Sequence, residues 1–218
     1  VMTLTNQALE IRSKLPDVGT TIFTVMSQLA VENNAINLGQ GFPEFNPDEK
    51  LLTLVNDAMK EGHNQYAPMP CIPSLRNEIA NKIKTLYGAD INPDSEITVV
   101  SGATEALMVA INAIVHPGDE VIVIEPCYDS YVPCIRLAGG VPVFVQLNKP
   151  TKENPSYSMN WDQLKEAITD KTRLIILNFP HNPTGITLKQ EYVYTLVEIT
   201  LEKNIFLIAD EVYEHIVF

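Results

Sequence analysis

The pattern of apolar and polar positions becomes regular from Glu96 onward. Short apolar runs there alternate with longer segments whose apolar residues recur at helical spacing, which predicts strands separated by helices. Strands that alternate with helices in this way form βαβ units. The predicted fold class is therefore α/β, a mainly parallel, doubly wound sheet with helices on both faces. The five predicted strands are EITVV (96–100), EVIVIEP (120–126), VPVFVQL (141–147), TRLIILNFP (172–180) and IFLIAD (205–210).

The last of these runs ends on an acid. Residues 205–209 are apolar, which predicts a strand buried on both faces, and Asp210 follows at once. A carboxylate at the mouth of a dry interior costs several kcal/mol, on the order of the buried-ion penalty, unless a cation pairs with it. A structural ion pair, a helix N-cap or a ligand would each account for this residue.

The pattern before Glu96 is less regular. Residues 1–36 predict an arm followed by a helix, and INLGQGFPEFNP (36–47) predicts a loop. Two more helices are predicted, at 48–61 after Pro47 and at 73–87 after a proline-rich loop.

The composition and net charge argue against some classes of binding partner. Fifteen Lys and Arg residues against 27 Asp and Glu give a formal charge of −12, which argues against nonspecific binding to nucleic acid or anionic lipid. No apolar run approaches the length of a membrane span, and the first residues lack a signal-peptide core. Cys71, Cys127 and Cys134 form neither a disulfide framework nor a metal-binding spacing, which predicts reduced thiols in a cytoplasmic protein.

Unusual residues follow the predicted strands. Ligands of open α/β sheets bind outside the carboxyl ends of strands, so these residues are candidates for one site. A tight turn or core packing would explain each of them singly. Together they match a phosphorylated, planar, cationic heteroaromatic ring with an oxygen substituent. The residues are Ser101-Gly102-Ala103-Thr104 at a helix start, Tyr128, Asn182 between two prolines, Asp210 and Tyr213.

Several motifs carry a family resemblance over about residues 20–218. In order and spacing they resemble the pyridoxal-phosphate-dependent aminotransferases of class I/II, which have fold type I, and they look most like the methionine and kynurenine aminotransferase branch. The resemblance implies transfer of an amino group between an α-amino acid with a large apolar side chain and a 2-oxo acid. The motifs are NLGQGFPEF, QYAPMP…LR, SGATEAL, EPCYDSY, NFPHNPTG and ADEVYEHIVF.

Two alternatives share this fold. A β-lyase would use the same Asp210 and Asn182 on a substrate with a leaving group at Cβ. A non-catalytic pyridoxal-phosphate-binding domain is disfavoured by the negative charge and by the absence of a DNA-binding segment before residue 20.

The resemblance also implies roles for cofactor-binding residues. Asp210 is expected to bind the pyridine nitrogen, Asn182 and Tyr213 to hydrogen-bond the 3′ oxygen, and Tyr128 to stack on the ring. The phosphate is expected at the backbone amides of Gly102, Ala103 and Thr104. Asp210 and Tyr213 are the expected catalytic residues of this chain.

Other implied roles concern the substrate and a second subunit. Gly41 and Asn182 are expected to bind the substrate carboxylate, and Phe23 to line the side-chain pocket. Tyr66 is expected to reach the phosphate of the neighbouring subunit's cofactor, which implies a homodimer. Relatives usually have glycine at the position of Cys71, and cysteine disfavours positive φ, so the loop that carries Tyr66 is expected to shift.

The resemblance divides the chain into an N-terminal arm and small-domain segment, 1–45, and the first part of a large cofactor-binding domain, 46–218. The lysine that binds the cofactor covalently, and an arginine for the substrate carboxylate, are expected beyond residue 218. Two further strands, also from beyond residue 218, are expected to lie in the sheet between the strand formed by 96–100 and the strand formed by 205–210. The sequence is therefore expected to be a segment of a longer chain.

Overall fold

The computed structural model describes residues 12–41, 43 and 45–217. Within these ranges it contains seven helices and four strands. In chain order they are α1 (Ile22–Glu32), α2 (Glu49–Lys60), α3 (Pro73–Tyr87), α4 (Ala103–Ile114), β1 (Glu120–Glu125), α5 (Tyr131–Leu137), β2 (Val141–Gln146), α6 (Trp161–Glu166), β3 (Thr172–Asn178), α7 (Gln190–Lys203) and β4 (Phe206–Asp210).

The chain separates into two units. Thr20–Gly102 forms one, here called the N-terminal unit, and the described residues outside that range form the sheet unit. The division expected from the resemblance, after residue 45, remains a prediction.

The sheet unit has the predicted α/β architecture. All three strand pairs are parallel, and the strand order is β2-β1-β3-β4. The chain moves from β1 outward to β2 and then returns to place β3 on the other side of β1. Connections that leave neighbouring strands in opposite directions open a crevice at the carboxyl ends, here between β1 and β3.

Helices cover both faces of this sheet. On one face, Leu107 and Ile111 of α4 pack with Tyr131 of α5 against alternate residues of β1 and β3. On the other face, Leu164 of α6 and Leu196 of α7 pack against the intervening residues. Successive residues of a strand point to opposite faces, so a strand covered on both sides has a continuous apolar run, as at residues 121–124 of β1 and 174–177 of β3.

Strand β4 departs from its prediction. Phe206 and Leu207 are 46% and 38% exposed, so burial on both faces is wrong for most of this strand. In the described chain β4 pairs only with β3 and is an edge strand, which explains the exposure. The guanidinium of Arg173 lies 4.7 Å from the centroid of the Phe206 ring and covers part of it.

The predicted strand at 96–100 is also corrected. Residues 97–100 have no regular secondary structure and no ladder partner among the described residues. An apolar run becomes a strand only through hydrogen bonds to a neighbouring strand, so the sequence pattern alone was not sufficient here.

The helices of the N-terminal unit begin and end near the predicted residues. The carboxylate of Asp48 caps α2 by accepting from the amide of Lys50, at 2.8 Å. Helix α3 begins at Pro73 and ends at Tyr87, where it is capped by Gly88 with a φ of +71°. None of the described helices has the length and apolar character that crossing a membrane requires.

Cys71 precedes α3 with a φ of +84°, a conformation that favours glycine. The expected shift of the Tyr66 loop is therefore not required. The backbone adopts the glycine conformation with a cysteine in it, and the cost falls on Cys71.

Candidate active site

The carboxyl ends of β3 and β4 are joined by one side-chain amide. Asn178 and Asp210 are paired in register as the last residues of their strands. Nδ2 of Asn178 donates to the backbone carbonyl of Asp210 at 2.9 Å, and its Oδ1 accepts from the amide of Asn182 at 2.8 Å. Asn178 is buried, so this one side chain fixes the loop after β3 relative to the end of β4.

The next contact across this edge is made by two predicted site residues. Nδ2 of Asn182 donates to the phenol oxygen of Tyr213 at 3.1 Å. The Asn182 amide has a second N–H, and the Tyr213 hydroxyl has its own hydrogen, so both groups keep a donor for a ligand.

His181 secures the loop that carries Asn182. Its Nδ1 lies 2.7 Å from the Thr184 hydroxyl, and the ring also bonds the carbonyl of Pro126, just after β1. Burial lowers the pKa of His181, although the bond to Pro126 opposes that shift. A neutral His181 therefore connects the end of β1 with the loop after β3.

Among the described residues, two groups donate hydrogen bonds to the Asp210 carboxylate. Its Oδ2 accepts from the hydroxyl of Tyr131 at 2.7 Å, and its Oδ1 accepts from the amide of Val212 at 3.2 Å. Tyr131 is 2% exposed. Burial, and then the neighbouring Asp210, raise the pKa of Tyr131, so the phenol remains protonated and is the donor in this bond.

Helix α4 begins beside these residues, at Ala103. The first amides of a helix have no partner within it, and they carry the positive end of its dipole. Gly102, which precedes the helix, has a φ of +91°, and its amide donates to the carbonyl of Val100 at 2.9 Å. The amides of Ala103 and Thr104 are therefore better placed as anion donors than that of Gly102.

One cavity of about 150 Å³ collects the predicted residues of the sheet unit. Six of them line it: Ala103, Thr104, Tyr128, Asn182, Asp210 and Tyr213. Leu107, Asn178 and Val212 complete the lining. This set fits the chemistry inferred from the sequence, because it combines a helix N-terminus for a phosphate, an aromatic surface, an amide with a phenol, and a carboxylate.

Four predicted residues belong to the N-terminal unit and do not line this cavity. Phe23 is half-buried in the first turn of α1, Gly41 lies in an exposed loop, and Tyr66 is fully exposed. Gly102 is the last residue of that unit. The roles of these four residues remain predictions.

The sequence reading missed three residues that hold the site: Tyr131, Asn178 and His181. Tyr131 lies in the EPCYDSY motif, and its spacing of three residues from Tyr128 was the available signal. Asn178 and His181 lie within NFPHNPTG. The signal there was the presence of polar side chains four residues and one residue before Asn182.

Cys127 directly precedes Tyr128 but has the properties of an unreactive thiol. Burial, followed by the nearby carboxylates of Glu125 and Asp129, raises the pKa of Cys127 to about 11. The thiolate is the reactive form of cysteine, so nucleophilic chemistry at this residue is disfavoured.

Comparison with known proteins shows the family of the chain. The family model for aminotransferase class I and II matches residues 33–218, and the chain belongs to this family. Its members use pyridoxal phosphate. The resemblance inferred from the motifs is thereby confirmed.

Curated relatives include the methionine aminotransferase of Escherichia coli (strain K12), 45% identical over 99% of this chain and 54% of that protein. A probable N-succinyldiaminopimelate aminotransferase of Mycobacterium tuberculosis (strain ATCC 25618 / H37Rv) is 42% identical over 94% of this chain and 51% of that protein. The kynurenine–oxoglutarate transaminase of Dictyostelium discoideum is 38% identical over 92% and 49%. The chain spans about half the length of the curated relatives it matches.

Solved structures give the same grouping. The Escherichia coli protein with methionine aminotransferase function superposes with a TM-score of 0.90 at 45% identity, over 95% of this chain and 53% of that one. The N-succinyldiaminopimelate aminotransferase of Mycobacterium tuberculosis superposes with a TM-score of 0.88 at 41% identity, over 94% and 53%.

Proposed function

We propose that the protein is a pyridoxal-phosphate-dependent aminotransferase that moves an amino group between an α-amino acid and a 2-oxo acid. The observation that carries this proposal is the arrangement of Asp210, fixed by Tyr131, opposite the hydrogen-bonded pair of Asn182 and Tyr213 in one cavity. The alignment with aminotransferases over nearly the whole chain supports it.

When bound, pyridoxal phosphate accepts the electron pair that is released as the Cα proton of the amino acid is removed. Asp210 would bind the pyridine nitrogen, and a carboxylate there keeps that nitrogen protonated. A protonated ring nitrogen would give the Asp210 carboxylate a cationic partner beside the neutral donors Tyr131 and Val212 that it has among the described residues.

The remaining cavity residues would bind and orient the cofactor. Asn182 and Tyr213 would hydrogen-bond its 3′ oxygen with the donors they keep, and Tyr128 would stack on the ring. The amides of Ala103 and Thr104 would hold the phosphate at the N-terminus of α4, with Gly102 beside them. A phosphate site built from backbone amides allows an acidic protein to hold an anionic cofactor.

For the substrate, we propose an amino acid with a large apolar side chain, such as methionine or an aromatic one. The names of the Escherichia coli and Dictyostelium relatives support this choice. Gly41 and Asn182 would bind the substrate carboxylate, and Phe23 would line the side-chain pocket. The protein would act in the cytoplasm as a homodimer. Tyr66, which is fully exposed here, would reach the phosphate of the cofactor bound by the neighbouring subunit.

The test is an assay of the complete protein with pyridoxal 5′-phosphate. Methionine, phenylalanine, kynurenine and aspartate are each supplied with a 2-oxo acid, and the new amino acid is quantified by chromatography. We expect transfer from the first three to exceed transfer from aspartate. Absence of transfer from all of them would contradict the proposal. Release of ammonia without an amino acceptor, from a substrate with a leaving group at Cβ, would identify a β-lyase instead.

A further inference from the structure

Tyr131 makes the contact that distinguishes Asp210 from an ordinary residue at a strand end. Its hydroxyl donates to Oδ2 of Asp210 at 2.7 Å, although the two residues are 79 positions apart in the chain. The tyrosine is the first residue of α5, whereas the aspartate is the last residue of β4. Two separate elements therefore meet at this one hydrogen bond.

Packing alone does not require this hydroxyl. The Tyr131 ring lies in an apolar cluster with Leu107, Ile111, Val123 and Ile176, where phenylalanine would fill nearly the same volume. A buried hydroxyl adds a donor that must be satisfied. Its partner here is a carboxylate at the wall of the cavity, and hydrogen bonds to charged groups are stronger than those between neutral groups.

Tyr131 also contacts the aromatic residue of the cavity. The rings of Tyr128 and Tyr131 are 5.8 Å apart between centroids and inclined at 78°, an edge-to-face arrangement. The same side chain thus supports both an aromatic surface and a carboxylate that line the cavity.

We propose that Tyr131 is a positioning residue that orients the Asp210 carboxylate toward a ring nitrogen in the cavity. The hydroxyl occupies Oδ2 and so prevents the carboxylate from rotating. Oδ1, whose contact with the Val212 amide is longer at 3.2 Å, has the capacity to accept a further hydrogen bond from a protonated ring nitrogen. This inference rests on the proposed function, because it takes the occupant of the cavity to be a pyridine ring.

The test compares two ligands in the complete protein. One is pyridoxal 5′-phosphate, and the other is its analogue with carbon in place of the ring nitrogen. Tyr131→Phe removes only the hydroxyl, so we expect it to weaken binding of pyridoxal 5′-phosphate at least about tenfold, the lower end of the effect of one hydrogen bond to a charged group, and to leave the analogue nearly unaffected. Affinities are measured by equilibrium fluorescence titration.

Tyr194→Phe is the matched control. The Tyr194 hydroxyl is also hydrogen-bonded, accepting from Nε2 of Gln190 at 3.0 Å, but it lies on the exposed side of α7. We expect this variant to bind both ligands as the wild type does. A second comparison uses Asp210→Asn, in which Tyr131→Phe should no longer discriminate between the ligands because the carboxylate it orients is absent.

The outcomes separate the two proposals. If Tyr131→Phe weakens both ligands equally, or neither, in a wild-type protein that binds pyridoxal 5′-phosphate, Tyr131 is a structural residue and only this inference is overturned. If the wild type does not bind pyridoxal 5′-phosphate, the proposed function is overturned and this inference with it. Should Tyr131→Phe fail to fold, the hydroxyl is needed for folding itself, Tyr131 is a structural residue, and this inference is overturned.

Discussion

Strands β3 and β4 are neighbours in register, yet they differ sharply in burial. Residues 174–177 of β3 are buried, whereas Phe206 and Leu207 of β4 are substantially exposed. Both strands nevertheless end on a polar residue that lines the same cavity, Asn178 and Asp210. Burial along a strand and chemistry at its end are therefore independent properties, and substitutions should separate them.

The largest expected effect is on stability and tests this contrast at one register position. Ile175 of β3 is fully buried, and its partner Leu207 of β4 is 38% exposed. We expect Ile175→Ala to lower the free energy of unfolding by about 2–5 kcal/mol, because it leaves a cavity in the core. Leu207→Ala, the matched control, should cost about 1 kcal/mol or less. Chemical denaturation measures both, and equal losses would mean that β4 is covered in solution as fully as β3.

The second prediction concerns chemistry at the end of the exposed strand. Asp210→Asn keeps an oxygen that can accept from Tyr131 but removes the charge. With pyridoxal 5′-phosphate at saturation, we expect turnover to fall at least about 100-fold, the scale of losing one preorganised electrostatic group. The free energy of unfolding should change little. Turnover close to that of the wild type would contradict the assigned role of Asp210.

The third prediction concerns Asn178, which is the last residue of the buried strand β3 and is hydrogen-bonded to the end of the exposed strand β4. Asn178→Ala would leave the Asn182 amide and the Asp210 carbonyl without the partners they have here. We expect a loss of about 1–3 kcal/mol in unfolding free energy, the cost of unsatisfied buried groups, together with weaker binding of pyridoxal 5′-phosphate. A control is Asn148→Ala, which removes a side-chain amide that donates to the Met159 carbonyl at 3.2 Å, away from the cavity. If both variants lose stability equally but bind the cofactor equally well, Asn178 does not organise the site.

The smallest expected effect concerns the N-terminal unit. There the conformation of the Cys71 backbone, rather than the burial of a side chain, is expected to limit stability. Cys71→Gly should raise the free energy of unfolding by about 1 kcal/mol, because glycine adopts a φ of +84° without steric cost. Cys71→Ala retains a Cβ and should give no such gain. Denaturation of the two variants in parallel checks this prediction, and equal stability would show that the cysteine conformation is not strained.

Much of the fold could be predicted from the sequence because its signals are local. Helix α3 is an example, since Pro73 at its start and Gly88 at its C-terminal cap both act through their own backbone preferences. Strands β1 and β3 were predictable for a similar reason, because continuous apolar runs between helices indicate burial on both faces.

The predictions that were wrong concern features that depend on contacts with other strands or helices rather than on the local sequence. Residues 97–100 have the composition of a strand but no ladder partner among the described residues, and β4 has its apolar residues exposed because it has one partner. In the site, Asp210 was recognised from its position, whereas Tyr131 was not. The spacing of Tyr131 from Tyr128 was a signal that both side chains belong to the site, but it does not indicate that the hydroxyl meets a carboxylate 79 positions away.

The Tyr131–Asp210 hydrogen bond also has a consequence for the order of folding. The bond joins residues that are 79 positions apart, so the chain must lose conformational entropy to bring them together. That entropy is lost before the hydrogen bond can contribute to stability. The bond can form only after β1, β3 and β4 have assembled, because these strands bring α5 and the end of β4 together. We therefore expect the cavity to be among the last features of the sheet unit to form, so that the ability to bind pyridoxal phosphate reports the completion of folding.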